Sequence, residues 1–319
     1  MKKRYSKISA ALAGGLLAAA LAAPAESLRS DVVYLLPQES RVAAFVDLKA
    51  LRATPHYLGL RERLLSPRVA GYDRFLRSAG IDFDRDVDWV AWVRVPTRGG
   101  GLLLAVAGGR FNLAAAERFY LQQRIPLDAY RGQTLFPLRG AAHTPPLYLT
   151  FLDSTTAALG SRAALELLLE TRYGGHANLL RNEPLAQRLN EVNGRAPAWA
   201  VLDAEGTRGL LAQLFPEAAK FPEYTQLVGS LQSSSLQITP AQQAGVELTV
   251  WCDSATSAQK LAHLLQTAAL AQSWQTPGTR PGVQAVMGRV EAQSAGNRVV
   301  ARAALSETDV ARLLERGRR

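Results

Sequence analysis

Twice in this chain of 319 residues, two strand-like segments joined by a turn are followed at once by a helical pattern, and that recurrence constrains the fold more than any other feature. The first copy lies at 89–124. WVAWVRV at 89–95 is rich in β-branched and aromatic side chains, which suit a pleated surface. Pro96 with Gly99, Gly100 and Gly101 can reverse the chain, because glycine tolerates the positive φ that hairpin turns need. LLLAVA at 102–107 reads as the returning strand; it is apolar on both parities and is expected to be covered on both faces. Asn112 can cap a helix in which Leu113, Ala116, Phe119, Tyr120 and Ile125 form an apolar stripe near the 3.6-residue period. The second copy pairs 231–238 with 246–251 around Pro240 and Gly245, and its helix at 257–270 carries Leu261, Leu264, Leu265 and Ala268 on one side.

The flanking segments repeat in the same order. Segment 42–46 reads as a strand ending at Asp47, and 199–202 as a strand ending at Asp203, each followed by a helical stretch. Helical patterns at 56–65 and 69–78 lead to Gly80 and an acidic turn, IDFDRDVD. Beyond the first hairpin and helix come short strands at 134–138, 147–152 and 156–159, then helices at 163–172, capped by Ser161, and at 183–192. Beyond the second come strands at 286–293 and 299–305 and a final helix opened by Ser306. The likeness is one of pattern, not of letters. It predicts an α+β fold, a duplicated unit of mainly antiparallel sheet with packed helices related to the split βαβ arrangement. The expected divisions are a signal peptide at 1–25, a first unit at 26–195 and a second at 196–319.

The N-terminus carries the signal for location. MKKRYSK is a positive n-region, residues 8–23 are an apolar h-region, and Ala23-Pro24-Ala25 is a small-x-small cleavage site. As a helix the apolar run would span about 24 Å at roughly 1.5 Å per residue, short of the ~30 Å hydrocarbon core. Cleavage and export to the periplasm or beyond are expected, with an uncleaved N-terminal anchor as the alternative and no membrane span once the signal is removed. No cysteine follows the h-region to accept a lipid.

Charge argues against nucleic acid. Of the formal net charge of +10, Lys2, Lys3, Arg4 and Lys7 supply four, and no run of Lys or Arg is interleaved with aromatics as in a phosphate-tracking surface. A composition of 48% hydrophobic and 20% charged residues is that of a folded globular chain. With Cys252 as its one cysteine the chain forms no internal disulfide, and V-E-L-T-V-W-C places that thiol on the same strand parity as Val246, Leu248 and Val250, a buried apolar setting.

A catalytic constellation is not evident. Asp82, Asp84, Asp86 and Asp88 alternate as at the start of a calcium loop, but the sixth position is Val87 and the twelfth is Val93, where Gly and Glu are required. Asp82, Asp84 and Asp86 are therefore weak metal candidates and better candidates for turns and caps. His56, His143, His176 and His263 have no ligand spacing, the Gly99–Gly101 triplet lacks the Lys-Ser/Thr of a phosphate loop, and Ser161 is not in a nucleophile elbow. No cofactor is implied. The second half offers a different feature: one parity of its strands gives Ser233, Ser235, Gln237, Glu247, Thr249, Trp251, Arg289, Glu291, Gln293, Arg298 and Arg302. In one sheet these make a polar, mixed-charge face, and Trp251, Arg289, Glu291, Arg298 and Arg302 are its candidate ligand or partner residues.

Several short motifs carry a resemblance: Leu36-Pro37, Ala44-Phe45-Val46-Asp47-Leu48, Leu51-Arg52-Ala53-Thr54-Pro55, Ala79-Gly80-Ile81-Asp82, Gly108-Gly109-Arg110-Phe111 and Trp199-Ala200-Val201-Leu202-Asp203. This pattern resembles that of a group of exported bacterial proteins built on a domain of unknown function. The resemblance implies an extracytoplasmic location and the duplicated architecture, and brings no activity and no site residues. The expected function is a non-catalytic binding or assembly module of the cell envelope, its partner an envelope protein or polymer. The alternative is an extracytoplasmic hydrolase whose site assembles in space.

Overall fold

Asn112, Ser161 and Asp203 each turn a side-chain oxygen onto a backbone N–H three residues on, and a helix starts at each: Ala115 donates to Asn112 Oδ1 at 3.0 Å, Ala164 to Ser161 Oγ at 3.3 Å and Gly206 to Asp203 Oδ1 at 2.7 Å. Local chemistry of this kind sets these helix starts. The computed structural model describes residues 27–28, 30–53, 67–98, 100–140, 146–216, 218, 221–239, 244–273, 286–306 and 309. The signal segment, the helical pattern at 56–65, His56, His143, Pro240 and the last helix beyond Asp309 lie outside these residues. The chain is α+β, with mainly antiparallel pairing, and divides into two compact units. The described residues of the first are 27–49 and 67–186, and of the second 50–53 and 187–309.

The first unit contains α1 (Ser30–Val33), β1 (Val42–Asp47), the start of α2 (Leu48–Arg52), α3 (Pro67–Ser78), α4 (Phe83–Asp86), β2 (Val87–Thr97), β3 (Gly100–Gly109), α5 (Leu113–Gln122), β4 (Asp128–Tyr130), β5 (Gln133–Leu138), β6 (Leu147–Phe151), β7 (Thr156–Gly160) and α6 (Arg162–Arg172). Its strands lie in the order β1-β2-β3-β7-β6-β5-β4. Burial alternates strictly along β2, with Val87, Trp89, Ala91, Val93 and Val95 inside. That side of the sheet takes α6, whose Leu165, Leu168 and Leu169 are fully buried. On the opposite side, over β5–β7, sits an aromatic cluster. Tyr120 meets Phe136 edge-on at 5.1 Å and Phe75 at 5.9 Å, Phe136 meets Phe151 at 5.5 Å, and the Tyr120 hydroxyl donates to the Pro137 carbonyl at 2.9 Å.

Two expectations change here. Strand β3 is closed on one face only: Leu104, Val106 and Gly108 are buried, whereas Ala105 and Ala107 are half-buried and Leu103 is 42% exposed. Alanine reads as apolar in sequence, yet it has little area to hide and tolerates a half-covered face. The hairpin also closes later than expected, at the pair Thr97–Gly100, so Pro96 and Gly101 are strand residues. The turn from β4 to β5 places Arg131 at φ 46° and Gly132 at φ 77°, the conformation of a type I′ hairpin. The unit is tied together near its ends in sequence: Pro37 bridges Asn178, and the Asn182 side-chain amide donates to the carbonyls of Gln38 and Ser40 at 2.9 and 3.1 Å.

Helix α7 (Glu183–Val192) begins in the first unit and ends in the second. The second unit continues with β8 (Ala198–Asp203), α8 (Ala204–Leu214), α9 (Pro222–Val228), β9 (Leu231–Thr239), β10 (Ala244–Cys252), α10 (Ala255–Ser273), β11 (Glu291–Ala295) and β12 (Arg298–Leu305). Its strand order is β11-β12-β10-β9-β8. One face of this sheet carries Leu248, Val250, Val299 and Ala301 into a core with Leu211 of α8, Leu227 of α9 and Leu261 and Leu265 of α10. Thr207 donates to Ser234 at 2.8 Å inside that layer, satisfying both buried hydroxyls. The strand expected at 286–293 begins only at Glu291, because residues 286–287 are helical and Arg289 N–H closes a turn onto the Val286 carbonyl.

Candidate partner-binding face

The register of β9–β10–β12–β11 brings the polar parity onto one face. Glu247 lies between Gln237 and Arg302, and Arg302 lies between Glu247 and Glu291, so negative, positive and negative side chains form one row across three strands. Arg298 lies between Trp251 and Ala295 on the same face. The Arg302 guanidinium donates from Nε to Glu247 Oε2 at 2.8 Å while 64% of its side chain stays exposed. Pairs of this kind across adjacent strands fix side-chain positions more than they stabilise, being worth roughly 0.2–1 kcal/mol. Thr239, Gly245, Val246, Glu247, Arg289, Glu291 and Arg302 line an open concavity of about 500 Å³ at this margin of the sheet.

Of the five candidate partner residues, three keep their expected setting: Glu291, Arg298 and Arg302 are exposed on the polar face. Arg289 is displaced from the strand and donates to Asp309 Oδ2 at 2.5 Å. Burial by itself would raise the Asp309 carboxyl, but hydrogen bonds from the hydroxyl and N–H of Ser306 and from Arg289 hold it below the ordinary carboxylate range. Trp251 stands on the polar face and yet is buried, 9% exposed. Arg188 of α7 lies over it, its guanidinium carbon 4.0 Å from the ring centroid. Arg188 is itself 7% exposed and donates to Glu191 at 2.7 Å, and burial lowers its pKa from the ordinary arginine value. Ser233, Ser235 and Thr249 on the same face are buried too, so the face is polar interior toward β9 and exposed toward β11.

The acidic cluster is held in structural roles. Asp82 accepts from the Asp84 N–H at 3.0 Å as the N-cap of α4, Asp86 accepts from the Asp82 N–H at 2.8 Å, and Asp84 pairs with Arg77 at 2.9 Å. The acidic stretch expected as a turn is thus a short helix with its own cap. Among the described residues no group of three or more His, Cys, Asp or Glu is placed to hold a metal. Cys252 is fully buried, and burial, with Asp253 adding to it, pushes its thiol up to about 11. His176 pairs with Glu39 at 2.7 Å, and His263 is exposed on α10.

The sequence reading missed Arg188. Its signal is legible in retrospect: Leu185, Arg188, Leu189 and Val192 fall at the i, i+3, i+4, i+7 positions of one helix face, an arginine within an apolar stripe.

No family model matches this chain, and no curated protein matches it. Three solved structures of TP0453 are similar to it. Crystal form III has a TM-score of 0.47 at 9% identity, covering 89% of this chain and 97% of that one. Crystal form IV has a TM-score of 0.46 at 10% identity over 89% and 96%, and crystal form I has 0.44 at 10% over 90% and 97%.

Proposed function

We propose that this chain is an exported, non-catalytic binding or assembly module of the cell envelope, and that it engages its partner through the exposed margin of the second unit's sheet. The observation that carries this reading is the Glu247–Arg302–Glu291 row with Arg298 beside it: charged side chains of both signs held in register across one sheet face. Such a row favours a polar partner of matching charge pattern, because misaligned like charges are penalised. Export is supported by the n-region, h-region and cleavage site at 1–25. No helix among the described residues is long and apolar enough to cross a membrane. Duplication is supported by the shared order of strand, helix, hairpin and helix, seen as β8, α8, β9–β10 and α10 in the second unit.

The test is affinity capture from the native envelope with the purified chain and with an Arg298→Ala/Arg302→Ala variant. Loss of the captured partner by about tenfold supports the reading, as expected if the pair contributes ~1.4 kcal/mol. Equal capture by both removes this face. The alternative, a hydrolase outside the cytoplasm, rests on the His176–Glu39 pair, in which a carboxylate orients an imidazole as in a general-base pair. Ester hydrolysis by the purified chain that is lost in His176→Ala would select it.

A further inference from the structure

The outer edge of β11 is occupied by a side chain from α10. Gln266 donates from Nε2 to the Val290 carbonyl at 3.2 Å and accepts the Ala292 N–H on Oε1 at 3.0 Å. One amide thereby satisfies a backbone acceptor and a backbone donor on either side of Glu291. In an antiparallel pair, backbone groups of successive residues point to opposite edges. Those of Glu291, Gln293 and Ala295 serve the pairing with β12, and those of Ala292 and Ser294 face outward. Gln266 therefore sits where the peptide group of a further strand would sit.

Helix α10 packs along this edge strand, whose own features are otherwise suited to pairing. Strand β11 is regular in register with β12, contains neither Pro nor Lys, and is exposed at every residue but Ala292. A second copy matches it in register and charge. In a two-fold antiparallel pairing centred on Gln293, Ala292 of each copy faces Ser294 of the other, and Glu291 faces Ala295, whose other neighbour is Arg298. No like charges meet, and each Glu291 comes two strands, about 10 Å, from an arginine of the other copy. That pairing requires the outward N–H of Ala292, which Gln266 holds.

We propose that Gln266 guards the sheet edge: by closing the β11 backbone with its amide it prevents a second copy of this chain from adding strand to strand. The proposal requires neither export nor the partner face. Self-pairing must displace two Gln266 amides, one from each copy, and a side chain without an amide removes that barrier.

Sedimentation of the purified chain tests this. The native protein and Gln266→Glu, which keeps an acceptor for the Ala292 N–H, are expected to show no association through β11. Gln266→Met is expected to dimerise with a dissociation constant at least about tenfold lower, because neither copy then gives up side-chain hydrogen bonds to its own edge. Adding Ser294→Pro, which removes an outward N–H, should abolish that dimer. Hydrogen exchange at Ala292 provides a second readout: protected in the native monomer, fast in dilute Gln266→Met and protected again as it dimerises. A Gln266→Met chain that sediments as the native protein at every concentration, a dimer indifferent to Ser294→Pro, or a native dimer lost on Ser294→Pro alone would each overturn the proposal. If Gln266→Met fails to fold by circular dichroism, Gln266→Leu takes its place: a dimer lost on adding Ser294→Pro supports the proposal, and a monomer at every concentration overturns it.

Discussion

The guanidinium of Arg188 lies 4.0 Å from the ring centroid of Trp251, and both side chains are at least nine-tenths buried. A cation over an aromatic face gains more when water is excluded, about 2 kcal/mol against 0.5–1 at exposed sites. Arg188→Met and Trp251→Leu should each destabilise the second unit, and a double-mutant cycle in urea should return a coupling of ~1–2 kcal/mol. Strict additivity would show that the ring and the guanidinium are merely adjacent. Arg188→Lys should not restore the native value, since an ammonium lacks the planar face that stacks on indole.

Glycine at three positions gives graded expectations. A Cβ on Gly109 would stand 1.9 Å from the Asp86 carbonyl oxygen, and one on Gly108 would stand 2.1 Å from the buried ring of Trp89. Neither obstacle can swing aside, so Gly109→Ala and Gly108→Ala should each cost at least ~2 kcal/mol, toward the upper part of the overpacking range. Gly209 lies inside α8 with open space at its Cβ. Gly209→Ala should raise stability by about 0.5–1 kcal/mol in thermal or urea unfolding.

Cys252 should resist alkylation until the second unit opens. Its thiol is buried and titrates well above neutrality, so thiolate is scarce in the native state at pH 7–8. Iodoacetamide labelling should follow unfolding in urea, with little reaction before the transition. The same shift has a stability consequence of definite sign. Because the native thiol holds its proton more tightly than the unfolded one, its contribution is complete below the ordinary thiol pKa and is lost as pH rises from about 9 toward 11. Cys252→Ala should flatten that alkaline limb.

Acid should act on each unit through a different carboxylate. For Asp86, as for Asp309, burial alone would raise the pKa; hydrogen bonds from Arg85 and the Asp82 N–H outweigh it and hold Asp86 below the ordinary range. A depressed native pKa gives stability that is present above the unfolded value of ~3.9 and disappears as pH falls through the native one. Asp86→Asn and Asp309→Asn should therefore lower stability at neutral pH and weaken its dependence on pH below about 4. An unchanged acid limb in both variants would assign acid unfolding to other groups.

What the sequence made legible follows the range of the interactions. Caps at Asn112, Ser161 and Asp203 were readable because donor and acceptor lie three residues apart. The polar parity of β10 and β12 was readable because alternation is a property of one strand at a time. The burial of Trp251 was not: it depends on Arg188, delivered 63 positions upstream by a helix whose charged residue looked like surface. Arg289 was misplaced because Val286 and Met287 extend an apolar run, and only the turn onto the Val286 carbonyl shows that the strand has not yet begun. The short β4 and α9 carry too few residues for a period to register.

The bridge between Pro37 and Asn178, reinforced by Asn182 reaching the Gln38 carbonyl 144 positions away, sets a schedule for the newborn chain. The long-range partners of Pro37, Gln38 and Ser40 are made only with the last turn of the first unit. At roughly 5–20 residues per second of synthesis, that delay is on the order of ten seconds. Through that interval the segment before β1 lacks these anchors and is open to whatever meets the chain while it is still being made.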